Sequence, residues 1–306
     1  MKQYNHILVV AEPKKDVQLA LKRALEIAKF NPRAVVTYFR VAYDYSYDLI
    51  ILNKVNQKMV HDDIEKTYLD HMQAIINTYR QEANSEATII PKVVEHKDVG
   101  QAVVEEINSG KYDLVIKAAN HHGVLDSIIF TPIDWYILRN STIPVLIAKE
   151  HNYKQGGNIV VCVDFATEDH NSSNLAMLRE AQILAKLIGG QIHLVNSAPV
   201  YLPSIMIEIP HYSPALYEQN VVQEHKNRLL EFAYKHHIPG DCCHTKEGMP
   251  DDVIPKVCQE LKPVTVFIGS AGRSGIMATL IGNTCEEIVD EINADLFVLN
   301  KKALKE

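Results

Sequence analysis

The chain has 306 residues, a length that suits two domains of ordinary size better than a single large one. Hydrophobic residues make up 47% of it and charged residues 23%, which excludes intrinsic disorder and low-complexity fibres as descriptions of the whole chain. The formal net charge is −7, and the 31 basic side chains form no long run, so we expect no nucleic-acid partner.

No apolar stretch approaches the ~20 residues that a membrane-spanning helix needs. The first apolar run, Ile7 to Ala11, stops at Glu12 before it could serve as a signal peptide. We therefore expect a cytoplasmic protein without a membrane span. Five unevenly spaced cysteines make a poor disulfide framework and predict reduced thiols. They are Cys162, Cys242, Cys243, Cys258 and Cys285.

The first predicted strand, His6 to Ala11 followed by Glu12, returns 152 positions later as Asn158 to Val163 followed by Asp164. Two later pairs of apolar segments share this offset: 114–117 with 266–269, and 144–147 with 296–299. An offset of this length indicates domain duplication, since solenoid repeats are much shorter. The sequence therefore predicts a first domain over residues 1–150 and a second over 157–306, joined by the polar segment 151–157.

Short apolar runs and segments of helical spacing alternate along the second half. The predicted elements are strand 159–163, helix 175–188, strand 192–195, helix 221–236, strand 242–246, helix 250–261, strand 265–268, helix 285–292 and strand 294–300. Short, fully apolar strands alternating with helices are typical of parallel sheets covered on both faces. Each half is thus predicted to be a five-stranded parallel-sheet α/β sandwich.

In such folds, ligands bind where loops leave the carboxyl ends of the strands. Asp164 follows the first strand of the second half, and Gly269 follows the fourth. Two residues separate Gly269 from Gly272, and nine residues separate Gly272 from Gly282. Gly282 and Asn283 stand at a predicted helix start. Glycines allow close approach of a phosphate to the backbone, and free amides at a helix start favour an anion.

Taken singly, these residues have structural interpretations, because glycines shape turns and Asn283 is an ordinary helix cap. As a set they converge on one edge of the sheet. Asp164, the Gly-x-x-Gly, nine residues, Gly-Asn pattern and the closing strand 294–299 resemble the universal stress protein family, and the likeness covers essentially the whole chain.

That resemblance implies the adenine-nucleotide alpha-hydrolase-like fold and a site for ATP or another adenine nucleotide in domains that carry the motif. In the family's pattern Asp164 approaches the adenine or ribose. The residues that would hold the phosphates are Gly269, Gly272, Gly282, Asn283 and Thr284. Arg273 lies inside the same loop and either adds positive charge there or is solvated.

The first half lacks this pattern. At the offset of 152, Gly269 and Gly272 correspond to Lys117 and Asn120; Gly282, Asn283 and Thr284 correspond to Phe130, Thr131 and Pro132. Proline has no amide hydrogen to offer a phosphate, although it suits the first position of a helix. We therefore expect a degenerate first domain that is structural or binds a less charged ligand.

No enzyme signature is found. The chain has no P-loop, and Ile276 interrupts a Gly-x-Ser-x-Gly elbow, so no catalytic residue is assigned and slow ATP hydrolysis stays open. Histidines and cysteines cluster between His236 and His244, but their spacing does not fit a zinc finger, so no metal site is assigned.

The segment from Tyr201 to Tyr217 is broken by prolines and carries apolar residues between Ile205 and Ile209. It packs over a core, or forms a lid or groove for an apolar small molecule or a partner protein. The sequence therefore predicts a stress-response protein that acts as a non-catalytic nucleotide sensor. The alternative is an apolar-ligand or protein-interaction scaffold with a vestigial nucleotide loop.

The family resemblance also implies an internal pseudo-dimer, in which the closing strands 143–148 and 294–300 pair. Such pairing would protect both edge strands from aggregation. Association of two whole chains into a homodimer is left open by the sequence.

Overall fold

The structure, a computed structural model, describes most of the chain. The described residues are 4–13, 15, 17–43, 54–83, 85–119, 121–122, 127–128, 131–151, 153–165, 170–200, 213–269, 288, 291–300 and 302–303. Two compact units are present: residues 1–120 with 130–149, and residues 121–129 with 150–306.

The first unit is an α/β structure whose parallel sheet has the strand order β3-β2-β1-β4-β7. Its strands are β1 (His6–Val10), β2 (Val35–Ala42), β3 (Thr88–Glu95), β4 (Leu114–Ala118) and β7 (Val145–Ala148). Its helices are α1 (Leu19–Ala28), α2 (Lys54–Ala83), α3 (Val99–Ser109) and α4 (Pro132–Asn140). The order places β1 at the centre of this unit's sheet, between β2 and β4.

All residues of β4 and β7 are buried, as expected of parallel strands that helices cover on both faces. Thr131 caps α4 through a capping box with Asp134, and Pro132 occupies the first helical position. The helix start predicted at Thr131-Pro132 is therefore confirmed.

The second unit repeats the arrangement with the strand order β10-β9-β8-β11-β12, all parallel. Its strands are β8 (Asn158–Cys162), β9 (Gln191–Ala198), β10 (Cys243–Glu247), β11 (Thr265–Gly269) and β12 (Asp295–Leu299). Its helices are α5 (His170–Ile188), α6 (Pro214–Lys235) and α7 (Pro250–Leu261). The unit also includes a short antiparallel hairpin of β5 (His121–His122) and β6 (Ser127–Ile128). The predicted fold, two tandem five-stranded parallel α/β units, is confirmed.

One helix of the second unit begins earlier than predicted. Ser213 caps α6 by accepting a hydrogen bond from the amide of Leu216, and Pro214 starts the helix. The predicted helix start at residue 221 is wrong, because Pro214 suits the first helical position and Ser213 caps the helix there. Residues 201–212, which carry the apolar run, lie outside the described residues.

The strand register corrects the offset used to align the two halves. Val9 lies opposite Ile116, whereas its counterpart Val161 lies opposite Phe267, 151 positions further on. Ala118 therefore corresponds to Gly269, and Lys117 corresponds to Ile268. The offset of 152 is wrong in this strand because a fully buried run has no polar-apolar alternation to fix its register.

None of the helices in the described ranges is long and apolar enough to cross a bilayer.

Candidate functional site

Asp164 follows β8 at the carboxyl edge of the second unit's sheet and is half-buried. The side chain of Asn174, fully buried on α5, holds the backbone of Asp164 on both sides. Its Oδ1 accepts a hydrogen bond from the Asp164 amide at 3.1 Å, and its Nδ2 donates to the Asp164 carbonyl at 2.8 Å. This pair of bonds fixes the direction in which the strand end leaves the sheet.

Two further side chains hold the residues on either side of Asp164. Asn196 Nδ2 donates to the carbonyl of Val163 at 2.9 Å, and Asn196 Oδ1 accepts from His225 Nδ1 at the same distance. Arg228 Nη1 donates to the carbonyl of Phe165 at 3.0 Å. Backbone groups of three consecutive residues are thus fixed by side chains from α5, α6 and β9, which is the kind of rigid support that a binding site requires.

Gly269 ends β11, the strand next to β8. Because Phe267 lies opposite Val161, Gly269 is level with Val163 and adjacent to the Asp164 turn. A Cβ atom at Gly269 would lie 3.0 Å from Sδ and 3.1 Å from Cε of Met177 on α5. The glycine therefore lets α5 pack closely against the strand, a contact that the glycine spacing alone could not indicate.

The structure brings two of the predicted site residues, Asp164 and Gly269, to the same edge on neighbouring strands. The other predicted residues, Gly272, Arg273, Gly282, Asn283 and Thr284, lie outside the described residues. Their assignment stays a prediction.

A cavity of about 480 Å³ lies beside the Asp164 turn. Its apolar lining comes from Phe165, Leu175 and Phe232, and the two phenylalanine rings meet edge to face at 5.7 Å. Arg228 and Lys235 add positive charge to the lining and Glu231, bound to Lys235 at 2.7 Å, adds negative charge. The volume is typical of small-molecule sites, so the edge that carries Asp164 has room beside it.

The first unit repeats the backbone support with a different side chain. Gln18, just before α1, accepts from the Glu12 amide at 2.9 Å through Oε1 and donates to the Glu12 carbonyl at 2.8 Å through Nε2. This identifies Glu12 as the structural counterpart of Asp164. The Glu12 side chain, however, is only 8% exposed and pairs with Lys15 Nζ at 2.8 Å.

A further ion pair of the first unit, buried on both sides, joins β4 to α4. Lys117 Nζ lies 2.5 Å from Asp134 Oδ1, and the two side chains are 9% and 1% exposed. Asp134 Oδ2 also accepts from the amide and the hydroxyl of Thr131, both at 2.7 Å. A carboxylate of the chain itself thus occupies the helix N-terminus, the kind of position that favours an anion.

Four cysteines in the described part of the chain form no disulfide. They are Cys162, Cys242, Cys243 and Cys258. Burial raises the pKa of Cys258 to about 12 and that of Cys243 to about 11, so both stay protonated at neutral pH. Within the described ranges, no group of three or more potential ligands is placed to hold a metal ion.

Comparison with known proteins gives consistent matches. A family model described as the universal stress protein family matches residues 3–149 and 157–300. Universal stress protein E of Escherichia coli K12 is 32% identical over 305 residues, which cover 98% of this chain and 95% of that protein.

Among solved structures, a universal stress protein from Pseudomonas aeruginosa UCBPP-PA14 is 26% identical with a TM-score of 0.68, over 98% of this chain and 95% of that one. A universal stress protein from Archaeoglobus fulgidus DSM 4304 is 15% identical with a TM-score of 0.60 over 97% of both chains, a likeness of fold alone.

Proposed function

Because the chain belongs to the universal stress protein family, we propose that it is a cytoplasmic stress-response protein whose second unit binds ATP or another adenine nucleotide. In this proposal the first unit binds no nucleotide. The observation that carries the proposal is the contrast between two equivalent carboxylates. Asp164 is half-buried on a rigidly held turn, while Glu12 is buried against Lys15.

Asp164 would accept hydrogen bonds from the adenine amino group or the ribose hydroxyls. A carboxylate held by a fixed backbone accepts such bonds without losing further conformational freedom, which favours binding. The residues proposed to hold the phosphates are Gly269, Gly272, Arg273, Gly282, Asn283 and Thr284. Backbone amides and one arginine suit a negatively charged group there.

The first unit would exclude phosphates by two features. Asp134 already occupies the N-terminus of α4 with a negative charge, and Pro132 has no amide hydrogen to donate. A phosphate would meet repulsion from Asp134 where the second unit is proposed to offer free amides. One nucleotide per chain is therefore the expected stoichiometry.

We propose a binding role without fast catalysis, since the sequence carries no signature that pairs a nucleophile with a base. Slow ATP hydrolysis is compatible with this role and is tested by measuring phosphate release alongside binding. The alternative scaffold function depends on the segment Tyr201 to Tyr217, of which only residues 213–217, at the start of α6, are described.

Calorimetric titration of ATP tests the proposal with a matched pair of variants. Asp164→Asn should weaken binding by about tenfold, the effect of one lost charge-assisted hydrogen bond. Glu12→Gln, the equivalent change in the first unit, should leave both the affinity and the stoichiometry unchanged.

Gly282→Phe supplies a second test, because a bulky side chain in the glycine loop should abolish binding. Absence of ATP binding by the unmodified protein would overturn the proposal. So would equal losses from Asp164→Asn and Glu12→Gln, because the first unit would then contribute a site as well.

A further inference from the structure

Two histidines face each other at the edge of the second unit's sheet, on the side away from β11. His193 lies on β9, and His244 on β10 stands opposite Val195, two residues further along β9. Side chains two residues apart on a strand point to the same face, so the two imidazoles meet. His193 Nδ1 and His244 Nε2 are 3.0 Å apart, and the ring centroids are 5.3 Å apart.

A hydrogen bond between these nitrogens needs one proton and one lone pair. The other nitrogen of His193, Nε2, is buried, and no hydrogen-bond partner for it exists among the described residues. Buried N–H groups without a partner are rarer in folded proteins than buried acceptors without one. We therefore assign the proton to His193 Nδ1, which donates to His244 Nε2.

Protonation of either ring disturbs this arrangement. A proton on His244 Nε2 would point at the Nδ1–H of His193, so that two donors face each other. If His193 instead moves its own proton to Nε2, that buried N–H has no acceptor among the described residues. A proton on His193 Nε2 would place a charge, and an N–H without an acceptor among the described residues, on a ring that is only 8% exposed. Each protonated state therefore loses the hydrogen bond or buries an unpaired donor.

The charged groups around the two histidines do not restore their pKa values to the ordinary histidine value. Burial lowers the pKa of His193, His244 lowers it further, and Asp241 in the short 3-10 helix Gly240–Cys242 acts in the opposite direction. Burial also lowers the pKa of His244, with Glu260 on α7 opposing and Lys246 on β10 reinforcing the shift. Glu260 is bound to Lys246 at 2.5 Å, which limits its attraction for a proton on His244.

Protons can reach the pair from solvent. His244 lines a cavity of about 260 Å³ together with Lys226 of α6, whose ammonium is a further positive charge on that side. Among the described strands, β10 is the last in the second unit's order and pairs with β9 alone. The histidine bond therefore ties an edge strand to the rest of the sheet.

We propose that the His193–His244 pair is a proton-sensitive contact that holds β10 on the sheet at neutral pH and releases it in mildly acidic solution. Because the folded state binds these protons less readily than the unfolded chain, stability rises with pH in this range. The contribution is complete above the ordinary histidine range of about pH 6.5 and is lost as the pH falls below it. Release would leave the backbone of β9 unpaired and accessible.

Hydrogen exchange of the whole protein tests this inference. Between about pH 7.5 and about pH 5.5, protection of the amides of residues 243–247, corrected for intrinsic rates, should fall about tenfold, the effect of one lost buried hydrogen bond. The amides of β8 in the same unit should keep their protection. A uniform loss in both strands would show global unfolding and overturn the proposal.

The double variant His193→Gln/His244→Gln should lose the acid-dependent difference, because glutamine does not titrate. His6→Gln, at an exposed histidine of the first unit, should retain it. An unchanged acid response in the double variant would overturn the proposal.

Titration of the two imidazoles by NMR in the unmodified protein gives an independent readout that needs no variant. Apparent pKa values below that of a free histidine are expected for the pair, and values at or above it would also overturn the proposal.

Discussion

The two units use one backbone design with different side chains at the sheet edge. In both, an amide side chain from the following helix region clamps the acidic residue that ends the first strand: Gln18 holds Glu12, and Asn174 holds Asp164. The first unit then buries its carboxylate, whereas the second leaves Asp164 only half-buried. Duplication has preserved the scaffold, while a few substitutions decide how deeply the carboxylate at this edge is buried.

The buried Lys117–Asp134 pair distinguishes the first unit most strongly. Lys117 corresponds to Ile268, so Lys117→Ile copies the second unit and leaves Asp134 buried without its counter-charge. We expect a loss of about 3–5 kcal/mol in the free energy of unfolding, as for other broken buried pairs. Urea unfolding measures it.

The double variant Lys117→Ile/Asp134→Asn should recover much of this stability, because no buried charge remains. Lys256→Ala, which removes an exposed pair with Asp252, should leave the unfolding midpoint unchanged. Additive losses in the double variant would show that Lys117 and Asp134 act independently.

The hydrogen bonds of Gln18 and those of Asn174 should contribute differently to the free energy of unfolding. The Gln18 side chain makes hydrogen bonds to Glu12, to the Lys15 carbonyl and to the hydroxyl of Tyr38, which donates to Gln18 Oε1 at 2.7 Å. Burial raises the pKa of Tyr38, so this hydroxyl stays protonated. Gln18→Ala should cost about 3 kcal/mol of stability, and Asn174→Ala about half of that.

Thermal or urea unfolding of these two variants measures the difference. Asn174→Ala should also weaken ATP binding in the proposed site, because it loosens the Asp164 turn, while Gln18→Ala should not. Equal effects on binding would contradict the assignment of the site to the second unit.

A reciprocal exchange of small residues gives the smallest expected effect. Gly269→Ala would place a Cβ 3.0 Å from Met177 Sδ, and a flexible methionine can yield, so we expect a loss of about 1 kcal/mol. Ala118→Gly, at the equivalent buried position, should lose about as much through added chain flexibility. Replacing Met177 by a shorter side chain in the Gly269→Ala variant should reduce the stability loss caused by Gly269→Ala. Urea unfolding would measure this difference.

Much of the fold could be predicted because its signals are local. The helix Pro250–Leu261 and the strands near 159–163 and 265–268 follow from short apolar runs, proline and helical spacing. The Thr131-Pro132 helix start is equally local. The start of α6 at Pro214 was missed, because prolines in the preceding segment obscure a start signal that also depends on proline.

The candidate site was predicted only in part. Asp164 and Gly269 follow from their positions after strands. Asn174, Asn196 and Arg228, which hold the Asp164 turn, carry no spacing signal, since each comes from a different element. Aligning the two halves of the sequence could have identified Asn174 as the counterpart of Gln18. That alignment, however, needs the strand register, which only the structure provides.

By itself the sequence determined the duplication, the alternation of strands and helices, and the acidic residue that ends the first strand of each half. These depend on patterns within a few residues, or on repetition along the chain. Only the tertiary structure decided that Lys117 corresponds to Ile268, that Asp134 fills the helix start of the first unit, and that His193 meets His244. Register and contact between distant segments arise from packing in three dimensions, which local pattern does not encode.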